Sequence, residues 1–285
     1  MAVLLTAVAL ACFAGNSLLC RLALAEGHVD ATSFTAIRLV SGALVLAVLA
    51  RGRPRAATTR QSWVSALVLF AYAAPFSYAY LRLGAAMGAL ILFATVQATM
   101  IGWGVALGER PRPLAWVGIA TAMGGLLVLT VPGRSAPDPV GAAAMAGAGV
   151  AWGIYSLRGR LAAGDPLVTT ARSFLLSLPF AAALVACVSP GVGAHASTRG
   201  VLLAAASGGL ASGIGYSVWY AALRHLTATR AAILQLLVPV LAAAGAVLLL
   251  GENVSNRLLL ASAAILGGVA VTIRARSAAT SPAKR

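Results

Sequence analysis

Charge is what this sequence has least of. Only 9% of its 285 residues are Asp, Glu, Lys or Arg, where a water-facing domain carries about a quarter. So few charges cannot coat a soluble globule, and most of the surface must meet lipid. Acids are the scarcest. There are six, Glu26, Asp30, Glu109, Asp138, Asp165 and Glu252, all at or just beyond the ends of apolar segments. That excludes a mid-membrane carboxylate as the carrier of a coupling proton or cation. Cysteine is limited to Cys12, Cys20 and Cys187, in apolar stretches at spacings that fit neither a disulfide framework nor a metal site. Histidine is limited to His28, His195 and His225, all in loops, with no partner at helical spacing for a hydrolytic or metal centre. No Gly-x-x-x-x-Gly-Lys-Ser/Thr run occurs, which removes ATP hydrolysis through a P-loop. Neither a metal nor a cofactor is expected.

What is present is apolar length. Hydrophobic residues make up 60% of the chain and the mean hydropathy is +0.92. Runs of the length that spans a bilayer, about 20 residues, lie at 2–21, 31–50, 62–81, 85–107, 113–131, 139–157, 167–188, 199–222, 230–250 and 256–273. The first run is longer than the core of a secretory signal and lacks a basic region before it. It therefore reads as a spanning helix, although Ala9-Leu-Ala-Cys12 loosely resembles a lipoprotein cleavage site. No gap is long enough for a soluble domain. The net charge of +15 does not indicate nucleic acid, because the arginines sit in short gaps between apolar runs rather than on one polar face. With the N-terminus inside, the inner connections hold 14 Lys and Arg and the outer ones five. The positive-inside rule then places both termini in the cytoplasm, within a plasma-membrane protein.

The chain repeats itself. Gly108-Glu109 recurs as Gly251-Glu252, and Gly124-Gly125 as Gly267-Gly268, both at an offset of 143. Arg82 and Tyr78 recur as Arg224 and Tyr220 at 142, and Arg38 as Arg172 at 134. Fixed-period self-similarity marks an internal repeat. Five spans per repeat is odd, so the second copy enters the membrane from the opposite side, as in secondary transporters. The expected fold is an all-α membrane protein with ten transmembrane helices in two inverted five-helix repeats, 1–131 and 139–274, followed by a basic cytoplasmic tail, 275–285.

These residues carry a resemblance. Leu223-Arg-His-Leu-Thr-Ala-Thr-Arg-Ala-Ala-Ile-Leu-Gln-Leu-Leu-Val-Pro-Val240, running on to Leu250-Gly-Glu-Asn253, is similar to the closing part of an EamA repeat. So is Tyr80-Leu-Arg-Leu-Gly-Ala-Ala86 leading to Leu107-Gly-Glu-Arg110 in the first half. Trp152-Gly153 before Arg172, and Ala14-Gly15-Asn16 before Arg38, resemble the openings of the two repeats. The resemblance is to the drug/metabolite transporter superfamily and covers nearly the whole chain. It implies ten helices, a central cavity and transport of metabolites, amino acids or drugs, often outward. The halves differ at Val96 against Pro239 and at Ala14 against Trp152.

Polar and aromatic groups within apolar spans face a bundle interior because lipid offers them no partner. On that ground the substrate-cavity candidates are Asn16, Tyr72, Tyr78, Gln97, Trp103, Trp152, Tyr155, Tyr216, Trp219 and Gln235. Arg38 and Arg172 join them, either as a seat for an anionic group or as side chains that reach a helix end. Pro75, Pro179 and Pro239 are hinge candidates, since proline removes a helical hydrogen bond. The pairs Gly84/Gly88, Gly104/Gly108, Gly149/Gly153 and Gly209/Gly213 allow close helix approach, either as static packing or as sliding surfaces. The expected partners are the lipid bilayer and a small-molecule substrate, with monomer or homodimer left open. The expected function is secondary transport by alternating access. A membrane-embedded enzyme and a scaffold or sensor subunit are the alternatives.

Overall fold

In hydrocarbon each backbone N–H and C=O must be satisfied within the protein, so apolar runs close into helices. The computed structural model describes residues 2–54, 57–107, 112–130, 137–161, 164–223 and 234–280, and helix dominates them. In chain order the helices are α1 (Ala2–Ala25), α2 (Ala31–Leu49), α3 (Arg60–Tyr80), α4 (Ala85–Ala106) and α5 (Pro113–Thr130). The second half has α6 (Pro139–Leu161), α7 (Pro166–Val192), α8, α9 (Leu237–Leu250) and α10 (Asn256–Thr280). Helix α8 runs unbroken through three windings: α over Thr198–Ala206, π over Ser207–Ile214, and α again over Gly215–Leu223.

Seven helices among the described residues, α1 to α4 and α6 to α8, are long and apolar enough to cross a bilayer. Leu237–Leu250 and Asn256–Thr272 are shorter apolar helices. The expected ninth span begins at 230, but 224–233 lies outside the described residues and a turn at Leu236 precedes α9. Pro239 accounts for that restart: without an N–H it fits the first turn of a helix and not its interior. Pro75 and Pro179, by contrast, sit inside α3 and α7 without interrupting either. Helix α10 also continues to Thr280, past the point where the tail was expected to begin. Gly108-Glu109, Arg55, Arg110, Arg134, Arg224, His225, Arg230, Lys284 and Arg285 lie outside the described residues.

Local chemistry sets the helix ends. Asp30 and Ser197 each accept a backbone N–H in the first turn of the helix they precede, and Thr59 forms a capping box with Ser62; such caps stabilise by about 1 kcal/mol each. Gly251 ends α9 at φ 63°, a left-handed conformation that disfavours a Cβ.

Packing pairs helices across the halves. Helix α2 lies on α7, α5 on α10 and α4 on α9; α3 lies on α6 while α1 lies on α8. Small residues make these approaches close. A Cβ on Gly118 would come within 2.5 Å of the Gly268 carbonyl oxygen. Gly149 and Gly153 of α6 seat Thr95 and Thr99 of α4, and Gly209 and Gly213 of α8 seat Val45 of α2.

Candidate functional site

Five helices cross around a small cavity in the bundle. Helix α1 contributes Phe13, Asn16 and Ser17; α3 contributes Tyr72 and Phe76; α4 contributes Leu92 and Phe93. The second half adds Trp152 from α6 and Ala211 and Tyr216 from α8. The walls are mainly aromatic. Phe13 meets Tyr216 edge-on at 5.8 Å, and Trp152 lies 4.9 Å from both Tyr72 and Tyr216. The cavity volume is about 20 Å³, room for roughly one water.

A continuous polar chain runs from the cavity wall at Asn16 and Tyr72 back into the bundle. Ser207 Oγ donates to Asn16 Oδ1 at 2.6 Å, and Asn16 Nδ2 donates to the Tyr72 hydroxyl at 3.4 Å. Arg38 Nη2 donates to the same hydroxyl at 3.0 Å, and Arg38 Nε to Ser212 Oγ at 3.3 Å. Ser212 closes the chain by donating to the Ser207 carbonyl at 2.9 Å. The last bond spans five residues within the π segment, a winding frequent at functional sites. Both serines are thus presented from α8 toward α1 and α2. Gly208, between them, allows this: a Cβ there would collide with the Arg38 carbonyl and with Ser41 Oγ.

Arg38 is 2% exposed, so it is inside the bundle and does not reach a helix end. Its guanidinium carbon lies 5.1 Å from the Tyr72 ring centroid and 4.8 Å from that of Phe76. Desolvated cation–π contacts contribute about 2 kcal/mol, against a burial cost of at least about 2.5–3.5 kcal/mol. Its Nη1 finds no acceptor, and it forms none of the ion pairs seen among the described residues.

Polar links join the two halves at both ends of the bundle. At one end Val29 and Ala196 form a β-bridge, and Asp30 accepts the His195 N–H at 3.0 Å. Burial raises the Asp30 pKa, but the hydrogen bonds from Ser33, His195 and Thr32 outweigh that and hold the carboxyl below the usual carboxylate range. At the same end Glu252 accepts the Ala85 N–H at 2.8 Å and pairs with Arg21 at 3.5 Å. It thereby caps α4, whose own N-cap, Gly84, has no side chain to do so. At the other end Arg53 pairs with Asp165. Arg158 there reaches Ser65 at 3.1 Å and the Gln61 side chain at 2.7 Å.

The sequence candidates divide accordingly. Asn16, Tyr72, Trp152 and Tyr216 line the cavity, and Arg38 stands directly behind Tyr72 and Phe76. Tyr155 stacks on Trp152 at 5.6 Å and Trp219 meets Phe13 at 5.7 Å, so both back the aromatic wall without lining it. Gln97 and Gln235 are buried but not at the cavity, and Gln97 Nε2 has no acceptor. Three candidates are placed elsewhere. Tyr78 bonds Thr32 at 2.6 Å. Arg172 donates to the Ala57 carbonyl and to Ser62, holding the connection between α2 and α3. Trp103 is 50% exposed on the outer surface. Sequence reading missed Phe13, Phe76, Ser207 and Ser212. Phenylalanine carries no polar signal in an apolar span, and serine blends into an Ala/Gly/Ser-rich run.

A family model, the EamA-like transporter family, matches residues 1–131 and 139–274. An uncharacterised protein of Pseudomonas aeruginosa is 51% identical over 278 residues, covering 96% of this chain and 94% of that one. A solved crystal structure superposes with a TM-score of 0.67 at 23% identity, covering 95% of this chain and 96% of that one. At that identity the match is one of fold.

Proposed function

The chain belongs to the EamA-like transporter family, and from that premise, which makes it a multi-pass membrane protein of a transporter family, we propose that it is a secondary carrier working by alternating access. Two inverted five-helix halves, 1–131 and 139–274, rock about the shared cavity in a ten-span layout. Both termini lie in the cytoplasm of a plasma-membrane protein, and the solute is exported.

The observation that carries this reading is the placement of the cavity. Its walls come from both halves, and cross-half links close the bundle at both of its ends. Such a geometry suits an occluded state between an outward and an inward opening. The helix pairings support it, because exchanging the halves converts α3 on α6 into α8 on α1 and returns α2 on α7, α4 on α9 and α5 on α10 to themselves. A scaffold has no use for that exchange symmetry.

The test is solute exchange in proteoliposomes holding the purified protein and a mixture of labelled metabolites. Exchange above protein-free vesicles is expected. Asn16→Ala and Trp152→Ala, in the cavity, and Gln97→Ala, near it on α4, are expected to slow it at least tenfold, threefold and twofold, respectively. Vesicles that exchange nothing, or variants that all exchange at the parent rate, would remove the carrier reading.

A further inference from the structure

Resting on the carrier reading, we propose that the transported solute is a small organic monoanion, held by its carboxylate at Arg38 and by an apolar body among the aromatic rings when these part to widen the one-water space between them. Arg38 is buried, permanently charged and without a carboxylate partner. The acids of the described residues are committed elsewhere. Asp30, on the same helix, is taken up by Ser33 and His195; Glu26, Asp138, Asp165 and Glu252 pair with arginines at the bundle ends. The protein therefore supplies the positive half of an ion pair in its interior and leaves the negative half to another molecule.

The hydrogen-bond balance points the same way. Arg38 Nη2 and Asn16 Nδ2 converge on one neutral oxygen, the Tyr72 hydroxyl, while Arg38 Nη1 has no acceptor. A surplus of donors around one oxygen suits an anionic group, which accepts several charge-assisted bonds. The planar guanidinium fork matches a carboxylate in two-point contact. Beside this polar chain, Phe13, Phe76, Trp152 and Tyr216 present ring surface, which selects an apolar body. No acidic side chain lines the cavity to neutralise an ammonium, which disfavours amines and zwitterions. Anion export also needs no coupling cation, because an inside-negative potential drives a negative charge outward. That agrees with the absence of any acid inside the apolar segments.

The experiment measures binding of phenylacetate, phenylacetamide, phenethylamine and phenylalanine by quenching of tryptophan fluorescence, to which Trp152 contributes. The purified full-length protein is used, with thermal unfolding as the check on folding. Phenylacetate is expected to bind at least tenfold more tightly than the other three. Arg38→Gln should weaken phenylacetate at least tenfold and phenylacetamide less than threefold, with Arg38→Lys in between. Equal binding of acid and amide, tighter binding of phenylalanine, no binding by any probe, or an unchanged acid affinity in Arg38→Gln would overturn the inference. Should Arg38→Gln fail to fold, the acid-to-amide ratio of the parent protein decides alone. Flux in proteoliposomes separates the two readings. Phenylacetate that binds but never crosses would remove the carrier and keep the anion seat. Flux of amide or amine in preference to acid would keep the carrier and remove the anion seat.

Discussion

Tyr72 accepts from Arg38 Nη2 at 3.0 Å and, with the same oxygen, from Asn16 Nδ2 at 3.4 Å. One hydroxyl thus ties α3 to both α1 and α2. Tyr72→Phe leaves two buried donors without an acceptor, which costs about 1–3 kcal/mol per group. Thermal unfolding in detergent should show a clearly lower midpoint for Tyr72→Phe than for Tyr78→Phe, whose single bond to Thr32 is half-buried. An equal loss in the two variants would contradict the joint role of Tyr72.

Gly208 makes a second prediction. Its Cα faces the Arg38 carbonyl so closely that a methyl group cannot fit without moving α8 from α2. Gly208→Ala should destabilise the protein by about 1–3 kcal/mol, as overpacking does. Gly147→Ala, on α6 with nothing within 4 Å of the added carbon, should be neutral or stabilise by up to about 1 kcal/mol. Similar midpoints for both would show that the α2–α8 approach is not limited at Gly208.

Much of this architecture can be read from the chain, for a physical reason. Hydrocarbon leaves a continuous apolar run of about 20 residues no alternative to the helix, so apolar length and arginine-rich gaps delimit most helices within a few residues. Asn16, Tyr72, Trp152 and Tyr216 were legible because polar or amphipathic groups are costly against lipid and so turn inward. Trp103 stands apart for a related reason: tryptophan is found both in bundle interiors and on outer surfaces near the membrane interface. Tyr78 and Arg172 likewise find partners away from the cavity, Tyr78 at Thr32 and Arg172 at Ala57 and Ser62. Phe13 and the two serines of the π segment could not be distinguished from their neighbours, because their role comes from tertiary placement alone.

Asp30 gives a pH dependence. Its carboxyl is held below its ordinary range in the folded protein, so the folded state binds the proton more weakly than the unfolded chain. Its contribution is fully present above the unfolded value, near pH 3.9, and is lost as pH falls through the lower folded value. Asp30→Asn should lower the unfolding midpoint at pH 7, and the gap to the parent protein should close toward pH 3. A gap that stays constant across that range would mean the effect comes from the cap geometry alone.

The links at the Arg53 end predict a bias in opening. Arg53→Ala combined with Arg158→Ala removes the contacts to Asp165, Gln61 and Ser65. A membrane-impermeant thiol reagent added on that side should then reach Ala211→Cys, in a cysteine-free background, severalfold faster than when both arginines are present. Reagent added on the Asp30 side should show no gain. Faster labelling from the Asp30 side alone would contradict a role for the Arg53 and Arg158 links in closing their own end.

Orientation is checked with the same reagent on whole cells. Arg51→Cys and His195→Cys lie at exposed positions at opposite ends of the bundle. Position 195 should label in intact cells and position 51 only after the membrane is opened. The reverse pattern would turn the protein over in the membrane.

The wide winding at Ser207–Ile214 acts as a phase shifter within a single rod. At its start, Gly208 must meet the α2 backbone; beyond its end, the same helix must aim Tyr216 at Phe13 and Trp152. A uniform 3.6-residue pitch links those two orientations rigidly. The wider turn supplies the offset between them, so that one helix satisfies both the close glycine contact with α2 and the placement of its rings in the aromatic wall.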